Sequence, residues 1–230
     1  MIPVLGVPTL CRTDLLKKML GSVDTEVGET LIIDNGGRVT DDIPGTVIRL
    51  PHNIGVGASW NLIFKLTPRA PWWCIVNDDV TFNPGALDSL ATLMANEDAK
   101  IGILDGFSAF GVNQKALSRV GFFDENFHPA YCEDNDMNWR ARLAGVPLVD
   151  LQGHTHHEGS ATIRGNRWYH MQNSETFSEN LDYYSRKWGG KPGQEVFTTP
   201  FNEGGDTANI RLEMRRLNHS AWARPAPGTS

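Results

Sequence analysis

The stretch Trp72-Trp73-Cys74-Ile75-Val76-Asn77-Asp78-Asp79-Val80 decides how the rest of the chain is interpreted. An apolar run ends in an amide and two adjacent carboxylates, which predicts a buried strand that carries Asp78 and Asp79 at its carboxyl end. Ligands of α/β sheets bind outside the carboxyl ends of the strands. A hard divalent cation suits paired acids there, because it binds through one or two carboxylates plus substrate phosphates. Alternatively, the acids only cap the next helix, predicted from Pro84 to Met94 with Asn83 as N-cap.

Composition limits the classes of partner. The chain has 230 residues, a formal net charge of −6, 40% hydrophobic residues and 21% charged residues. This length allows one large domain, or one domain with a substantial appendage. The negative charge argues against nucleic acid as a partner. An anionic ligand would need local compensation by a metal, by arginine or by helix N-termini.

The cysteines and the apolar runs bear on the compartment. Three cysteines, Cys11, Cys74 and Cys132, are widely spaced and form no CxxC pair. This argues against a disulfide framework or a zinc site and fits a reducing compartment. No apolar run reaches the roughly 18 residues that a membrane span needs, and the sequence Met1-Ile2-Pro3-Val4-Leu5 lacks the basic segment of a signal peptide. We therefore expect a cytoplasmic protein with no membrane span.

Strand and helix patterns alternate before this stretch. Buried strands are predicted at residues 2–7, 29–33 and 46–50, and helices at 13–20 and 60–66. Such alternation predicts a mostly parallel sheet with helices on both faces. Asp34, the loop from Asn53 to Gly57 and Asp79 each follow a strand, so we expect them at one rim of the sheet. The glycine-rich loop could present backbone N–H groups to a phosphate, or it could be only a tight turn.

The pattern changes after residue 100. Strands are predicted at 101–104, 106–110 and 147–151, and helices at 113–120, 131–145, 177–188 and 210–217. Three acids, Glu133, Asp134 and Asp136, belong to the first turn of the helix that follows Tyr131, where they oppose the helix macrodipole. Three histidines, at positions 154, 156 and 157, follow the last predicted strand.

The order of these features resembles the family 2 glycosyltransferases with a GT-A fold, particularly their rhamnosyltransferase-like branch. Four stretches carry the resemblance: Asp34-Asn35-Gly36, Asn53-Ile54-Gly55-Val56-Gly57 with Asn61, Asn77-Asp78-Asp79-Val80, and a block from Gly121-Phe122-Phe123-Asp124-Glu125 through Glu133-Asp134-Asn135-Asp136-Met137 to Ala144-Gly145. The last block is the most specific, and the similarity covers about two thirds of the chain. Two departures concern the metal site. Asn77 stands where the simplest DxD motif has Asp, and three histidines compete for one family position.

The resemblance implies a fold and a division of the chain. We expect an α/β, GT-A fold, which is Rossmann-like with a mostly parallel central sheet and helices on both faces, plus a C-terminal helical extension. Residues 1–165 would form the glycosyltransferase domain, with 1–100 binding the nucleotide sugar and 101–165 forming the acceptor and catalytic part. Residues 166–220 would be the extension, and 221–230 a flexible tail.

The resemblance also implies a reaction, in which a glycosyl unit moves from a nucleotide diphosphate sugar to an acceptor hydroxyl of a glycan, lipid or protein. Mg²⁺ or Mn²⁺ would be held by Asp79 and by His156, which fits the family's His-x-x-Gly-Ser spacing. Asp134 would be the general base, because a hydroxyl needs a positioned carboxylate to take its proton, and the product would be inverted. The implied donor-binding residues are Pro8, Thr9, Asp34, Asn53, Gly55, Gly57, Asn61, Asn77 and Asp78.

Each role has a plainer alternative. Asp34 could be the acid of an Asx turn, the acids of the 131–145 helix could serve only its first turn, and the histidines could be structural or bind zinc. Arg164 and Arg167 could meet phosphates or lie on the surface. Tyr131 and Trp139 could stack on an acceptor sugar, although core packing is the preferred alternative for Trp139. For the whole chain, the alternatives are a non-catalytic nucleotide-sugar or glycan-binding module, and a nucleotidyltransferase. The last normally has a basic glycine-rich loop near its first strand, which this sequence lacks.

Overall fold

The computed structural model describes residues 1–151, 154–159 and 167–203, with backbone alone for residues 167–173. The predicted helix at 210–217, the tail at 221–230, and Gly153, Ser160 and Arg164 lie outside the described residues. The strands are β1 (Ile2–Thr9), β2 (Val27–Asp34), β3 (Thr46–Arg49), β4 (Trp72–Val76), β5 (Val80–Phe82), β6 (Ile101–Asp105), β7 (Ala109–Asn113), β8 (Leu148–Asp150) and β9 (Thr155–His157). The helices are α1 (Thr13–Leu20), α2 (Val56–Leu66), α3 (Ala86–Met94), α4 (Gln114–Val120), α5 (Glu133–Leu143) and α6 (Arg167–Trp188), followed by a 3₁₀ turn at Pro200–Asn202.

Seven strands form the central sheet in the order β3-β2-β1-β4-β7-β6-β8. The pairs β1–β2, β1–β4, β2–β3 and β6–β8 are parallel, and β7 is antiparallel to both of its neighbours. The antiparallel pairing of β7 with β6 follows from the short turn at 106–108, which leaves no room for a crossover helix. The sheet is therefore mostly parallel, as the sequence predicts. β5 and β9 form a separate two-stranded ribbon.

Helices pack on both faces of the sheet, and β4 is buried on both sides. Trp73 and Ile75 belong to the core that α2 covers, whereas Trp72, Cys74 and Val76 belong to the core on the other face. This burial explains why the strand reads as a continuous apolar run rather than an alternating one. Among the residues described, no helix is both long and apolar enough to cross a membrane.

The predicted starts of α2, α3 and α6 are wrong, and α6 begins at Arg167 rather than at residue 177. α2 begins at Val56 rather than at residue 60, directly after Gly55. α3 begins at Ala86, because Gly85 adopts φ 81° and donates its N–H to Asp24 Oδ2 at 2.8 Å. Asn83 therefore is not the N-cap of α3, and Asn83-Pro84-Gly85 forms a turn ahead of it. By contrast, α5 ends as predicted, with Gly145 at φ 63° after the C-cap Ala144.

The C-terminal helix α6 packs on the segment before α5. Its buried face is formed by Tyr183, Tyr184 and Trp188, which join Phe127 and Cys132 in a small apolar cluster. The sequence predicts a helix over 177–188 with Phe177 on this face. The helix is present, but the side chain of Phe177 is 44% exposed. The buried face is thus rotated toward Tyr183.

Candidate active site

A cavity of about 290 Å³ lies at the rim where β1 and β4 end. Its walls come from parts of the chain that are distant in sequence, among them the ends of β1 and β4, the loop before α2, the segment before α5, and β9. The lining includes Pro8, Thr9, Leu10, Asn35, Asn53, Gly55, Val56, Trp60, Asn77, Asp78, Asp79, Phe107, Ser108, Pro129, Ala130, Tyr131, Glu133, Asp134 and His157. Eight of the twelve residues predicted for the site line this cavity. Asp34, Gly57, Asn61 and His156 do not.

The strand ends supply a buried hydroxyl–carboxylate pair. Thr9 Oγ1 donates to Asp78 Oδ2 at 2.6 Å, and both side chains are buried. Burial raises the pKa of Asp78 to about 7; the hydrogen bond from Thr9 opposes this rise, and the charge of Asp79 adds to it. Asp78 Oδ2 is therefore engaged by Thr9, whereas Asp79 contacts His157.

Asp79 contacts His157, which belongs to β9 and lies far from it in sequence. The antiparallel ribbon pairs Val80 with His157, which brings His157 Nε2 to 3.3 Å from Asp79 Oδ1. The other ring nitrogen, Nδ1, lies 2.7 Å from Asp105 Oδ2. The hydrogen bond to Asp79 raises the pKa of His157, burial opposes this, and the charges of Asp79 and Asp105 reinforce it.

The sequence-based choice of His156 differs from this arrangement. His156 pairs with Thr81 across the ribbon and is exposed. Because successive side chains of a strand point to opposite faces, only one of the two neighbouring histidines can face Asp79. In the structure that residue is His157.

A carboxylate and an imidazole suit a divalent cation that takes its other ligands from substrate and water. Two ligands at about 2.1 Å on adjacent octahedral positions lie roughly 3 Å apart, close to the separation of Asp79 and His157. Among the described residues, no group of three or more His, Cys, Asp or Glu side chains is arranged to hold a metal by itself. The remaining ligands of such a cation would therefore come from substrate and water.

The glycine-rich loop is held by the protein itself. Ile54 N–H donates to Asn35 Oδ1 at 3.0 Å, Gly55 N–H to Asn53 Oδ1 at 2.9 Å, and Val56 N–H to Pro129 O at 2.8 Å. These N–H groups are thus engaged inside the protein rather than presented to a phosphate. Through the hydrogen bond from Val56 to Pro129, the loop connects the start of α2 to the segment before α5.

Asp34 and Asn61 support the cavity from behind. Asp34 is fully buried, and its two oxygens accept the N–H groups of Gly36 at 3.1 Å and Val39 at 2.8 Å. The hydrogen bond with Gly36 makes Asp34 the acid of an Asx turn, which is one of the two roles that its sequence allows. Asn61 donates to Phe123 O at 2.8 Å and accepts Phe123 N–H at 2.9 Å.

Gly57 also lies behind the cavity wall. A Cβ built on Gly57 would be in ordinary van der Waals contact with Phe123 Cβ at 3.5 Å and with Glu133 Cβ at 3.6 Å.

The first turn of α5 adds two acids to the cavity wall. Asn135 N–H donates to Asp134 Oδ1 at 2.8 Å, and burial raises the pKa of Asp134. Glu133 is 6% exposed, and within the described structure its Oε2 has no hydrogen-bond partner. Burial, followed by the charge of Asp134, raises the pKa of Glu133 well above its ordinary range. Asp136 does not line this cavity and instead joins a buried ion cluster.

A second cavity, of about 320 Å³, adjoins this turn. It is lined by Ile103, Gly106, Phe107, Asp134, Asn135, Asn138, Leu148 and Asp150. Asp134 and Phe107 line both cavities. A carboxylate with a raised pKa thus stands between two spaces, one of which also contains the Asp79–His157 pair.

The site residues predicted from the sequence omit several lining residues, including Asn35, Trp60, Glu133 and His157. Tyr131, a predicted candidate for stacking on an acceptor sugar, does line the cavity. Trp60 is 1% exposed and belongs to the core as well as to the cavity wall. Asn35 comes two positions after the predicted strand 29–33, so its position near a strand end was a usable signal. For His157, the signal would have been the pairing register of β9, which the sequence does not reveal.

Comparisons with known proteins give the fold a name. No family model matches the chain. A galactofuranosyl glycosyltransferase of Leishmania donovani is 46% identical over 41 residues, which are 18% of this chain and 9% of that protein.

Three solved structures are similar to the chain. The mannosyltransferase PcManGT from Pyrobaculum calidifontis, in complex with GDP-Man and Mn²⁺, has a TM-score of 0.57 at 12% identity, covering 80% of this chain and 64% of that one. TarS of S. aureus has a TM-score of 0.55 at 14% identity, covering 80% and 44%. Glucosyl-3-phosphoglycerate synthase from Mycobacterium tuberculosis, in complex with Mn²⁺, UDP and glucosyl-3-phosphoglycerate, has a TM-score of 0.51 at 15% identity, covering 78% and 80%. The chain thus has the GT-A fold of these glycosyltransferases and spans less than two thirds of the first two.

Proposed function

We propose that the protein is a metal-dependent, inverting glycosyltransferase of the family 2 type, which moves a glycosyl unit from a nucleotide diphosphate sugar to an acceptor hydroxyl. The observation that carries this proposal is the position of Asp134, which lines both cavities, while Asp79 and His157 line only the first. A general base that acts between donor and acceptor needs such a position. The complexes of the similar structures with Mn²⁺ and with GDP-Man or UDP support the same reaction class.

The first cavity is the proposed donor site. Asp79 and His157 would hold Mg²⁺ or Mn²⁺, which supplies positive charge to neutralise the departing diphosphate. Thr9, Pro8 and Asn53 line the same cavity and would contact the nucleotide, and Asn77 and Asp78 would contact its ribose or the sugar. We replace His156 by His157 as the proposed ligand, because His157 faces Asp79.

The second cavity is the proposed acceptor site. The acceptor hydroxyl would approach from this side and transfer its proton to Asp134, while its oxygen bonds to the anomeric carbon. The bond from that carbon to the diphosphate oxygen breaks in the same displacement, so the configuration inverts. Burial supports this role, because a raised pKa brings the basicity of Asp134 closer to the operating pH.

Two further assignments are proposals. The rhamnosyltransferase-like branch rests on the block from Gly121 to Gly145. A cytoplasmic location is supported by the three cysteines, which are all free thiols, as proteins of reducing compartments have.

The variant Asp134→Asn tests the mechanism. It keeps the shape of the side chain but cannot take a proton, so transfer should fall by roughly 10²–10⁴-fold. Donor affinity in the presence of Mn²⁺, measured by calorimetry, should stay near that of the wild type, and NMR of the wild-type product should show an inverted anomeric centre. Unchanged transfer by Asp134→Asn, or a retained configuration, would contradict the proposal. A non-catalytic binding module would bind the donor and give no product with any acceptor.

A further inference from the structure

We propose that Asn180 and Lys187 of α6 are positioning residues for the transfer reaction, because they fix the acceptor-side wall of the donor cavity from behind. This inference rests on the proposed function. It concerns two contacts: Asn180 with the segment 128–131, and Lys187 with the first turn of α5. No described side chain of α6 lines either cavity, so both residues would act through the wall they hold.

Asn180 holds the backbone of the segment before α5. Its Nδ2 lies 2.9 Å from Ala130 O, 3.3 Å from Tyr131 O and 3.4 Å from His128 O. The side chain is 1% exposed, so water does not compete for these carbonyls. Three carbonyl oxygens converge on one amide that has two hydrogens to offer. The segment they belong to includes Pro129, Ala130 and Tyr131 of the cavity wall.

Lys187 holds the first turn of α5 through charge. Its Nζ lies 2.9 Å from Asp124 Oδ2 and also bonds to Asp136 Oδ1. Asp136 accepts further hydrogen bonds from Trp188 Nε1 and Arg140 Nε, each at 2.8 Å. The side chains of Lys187, Asp124 and Asp136 are fully buried. Asp136 follows Asp134 by two positions in the same helical turn, so the ion cluster lies directly behind the proposed base.

The charges in this cluster balance. Two carboxylates, Asp124 and Asp136, face two cations, Lys187 and Arg140. Although burial opposes ionisation, the charges of Arg140 and Lys187 lower the pKa of Asp136. Removing one partner of a buried ion pair leaves an uncompensated charge. The first turn of α5 therefore depends on the cation that α6 contributes.

The segment between these two contacts has a backbone that needs support. Tyr131 and Cys132 adopt φ 78° and φ 73°, the left-handed region, just before α5 begins. Each such non-glycine residue costs on the order of 1–3 kcal/mol and persists only when its surroundings hold it. Asn180 contacts the residues that lead into this turn, and Lys187 contacts Asp136 just after it. A shift of about 1 Å at a catalytic group can lower a rate by roughly 10²-fold, so a modest relaxation here would be visible in kcat.

The neutral variant Asn180→Ala gives the cleaner test, with Ser178→Ala, an exposed change on the same helix, as the matched control. We expect kcat to fall by roughly 10–100-fold. The dissociation constant and stoichiometry for nucleoside diphosphate with Mn²⁺ should stay within about twofold of the wild type. The stoichiometry measures the fraction of the protein that has a folded binding site. It therefore distinguishes a displaced cavity wall in folded protein from a loss of folded protein. A kcat loss that matches a loss of binding sites, failure of Asn180→Ala to fold, or an unchanged kcat would each overturn the proposal.

Lys187 is tested by a pair of substitutions. Lys187→Met removes the cation and should lower kcat per binding site at least as much as Asn180→Ala. Lys187→Arg keeps the charge and should restore a large part of kcat, whereas equal losses in both variants would overturn the role assigned to the charge. If the wild type binds donor but yields no product, the proposed function fails. If the wild type transfers and the α6 variants do so equally well, only the positioning role fails.

Discussion

Neighbouring residues of this site differ sharply in what they contact. Asp78 accepts a hydrogen bond from Thr9, while its neighbour Asp79 contacts His157. His157 lines the cavity, while its neighbour His156 does not. The histidines differ because side chains alternate along a strand. Asp78 and Asp79 differ because they are the two central residues of the turn between β4 and β5, in which Val80 N–H donates to Asn77 O at 3.3 Å. A motif that names two adjacent residues therefore leaves their individual roles open until the register is known.

The two histidines provide a matched pair of variants. Since His157 lies 3.3 Å from Asp79 and His156 is exposed, His157→Ala should raise the Mn²⁺ concentration needed for donor binding by roughly 10–100-fold, the range seen when contacts to a metal site are lost. His156→Ala should leave it unchanged. Calorimetric titration of a nucleoside diphosphate at several Mn²⁺ concentrations measures both. The reverse result would show that the ribbon has a different register in solution.

Glu133 should make stability depend on pH. Its folded pKa is raised well above the ordinary 4.5 by burial and by the charge of Asp134. Above pH 4.5 the unfolded chain releases this proton while the folded protein keeps it, so stability falls as pH rises toward the folded pKa. Glu133→Gln removes that effect. The melting temperature of the variant relative to the wild type should therefore increase steadily from pH 4.5 upward, whereas parallel curves would contradict it.

At the scale of elements, the start of α2 and the start of α5 form one unit. Val56 N–H donates to Pro129 O, and a Cβ added to Gly57 would be in van der Waals contact with Glu133. Gly55 makes this contact possible: its φ of 89° and ψ of 166° belong to a region that essentially only glycine adopts. A Cβ there would come within 2.8 Å of His128 Cδ2 and 3.0 Å of Pro129 O.

Gly55→Ala should therefore destabilise the protein and weaken donor binding. The backbone strain alone costs about 1–3 kcal/mol, and the clash with Pro129 adds to it. Gly37→Ala is the matched control, because Gly37 has φ 63° and an added Cβ would meet nothing within 4 Å. It should show only the strain, about 1–2 kcal/mol, with normal donor affinity. Urea unfolding and calorimetry measure the two effects, and equal results for both variants would contradict the role of the Gly55 contact.

For the whole molecule, the sequence predicts the architecture and many of the residues that line the first cavity. The strand–helix alternation gives the parallel sheet, and the rule that ligands bind at strand ends brings Asp79 and the loop from Asn53 to Gly57 to one rim. Thr9 is predicted through the family resemblance alone, and it lines the same cavity. The sequence could not decide Asp34, because a binding acid and an Asx-turn acid look alike in sequence. The contacts of Lys187 with Asp124 and Asp136 join positions more than 50 residues apart. Such pairs leave no local periodicity to read.

Ligand linkage should be visible in the stability of the whole protein. A nucleoside diphosphate with Mn²⁺ at 100 times its dissociation constant would stabilise the fold by about 2.7 kcal/mol. For a protein of this size, that corresponds to a rise in melting temperature of roughly 5–11 °C. UDP, GDP and dTDP can be compared by thermal scanning with and without Mn²⁺. Asp79→Ala should lose the part of the shift that requires Mn²⁺; an equal shift without the metal would contradict metal-dependent binding.

The contacts of α6 also bear on how the protein is made. A ribosome delivers the segment 128–132 about 50 residues before Asn180 and Lys187, and at about 5–20 residues per second the delay is on the order of 2–11 s. During that time the segment 128–132 lacks the hydrogen bonds from the Asn180 side chain. The buried carboxylates on either side of it in sequence also lack Lys187 as their counter-ion. We therefore expect a nascent chain halted before residue 180 to expose this part to proteases, and a chain with α6 free of the exit tunnel to protect it.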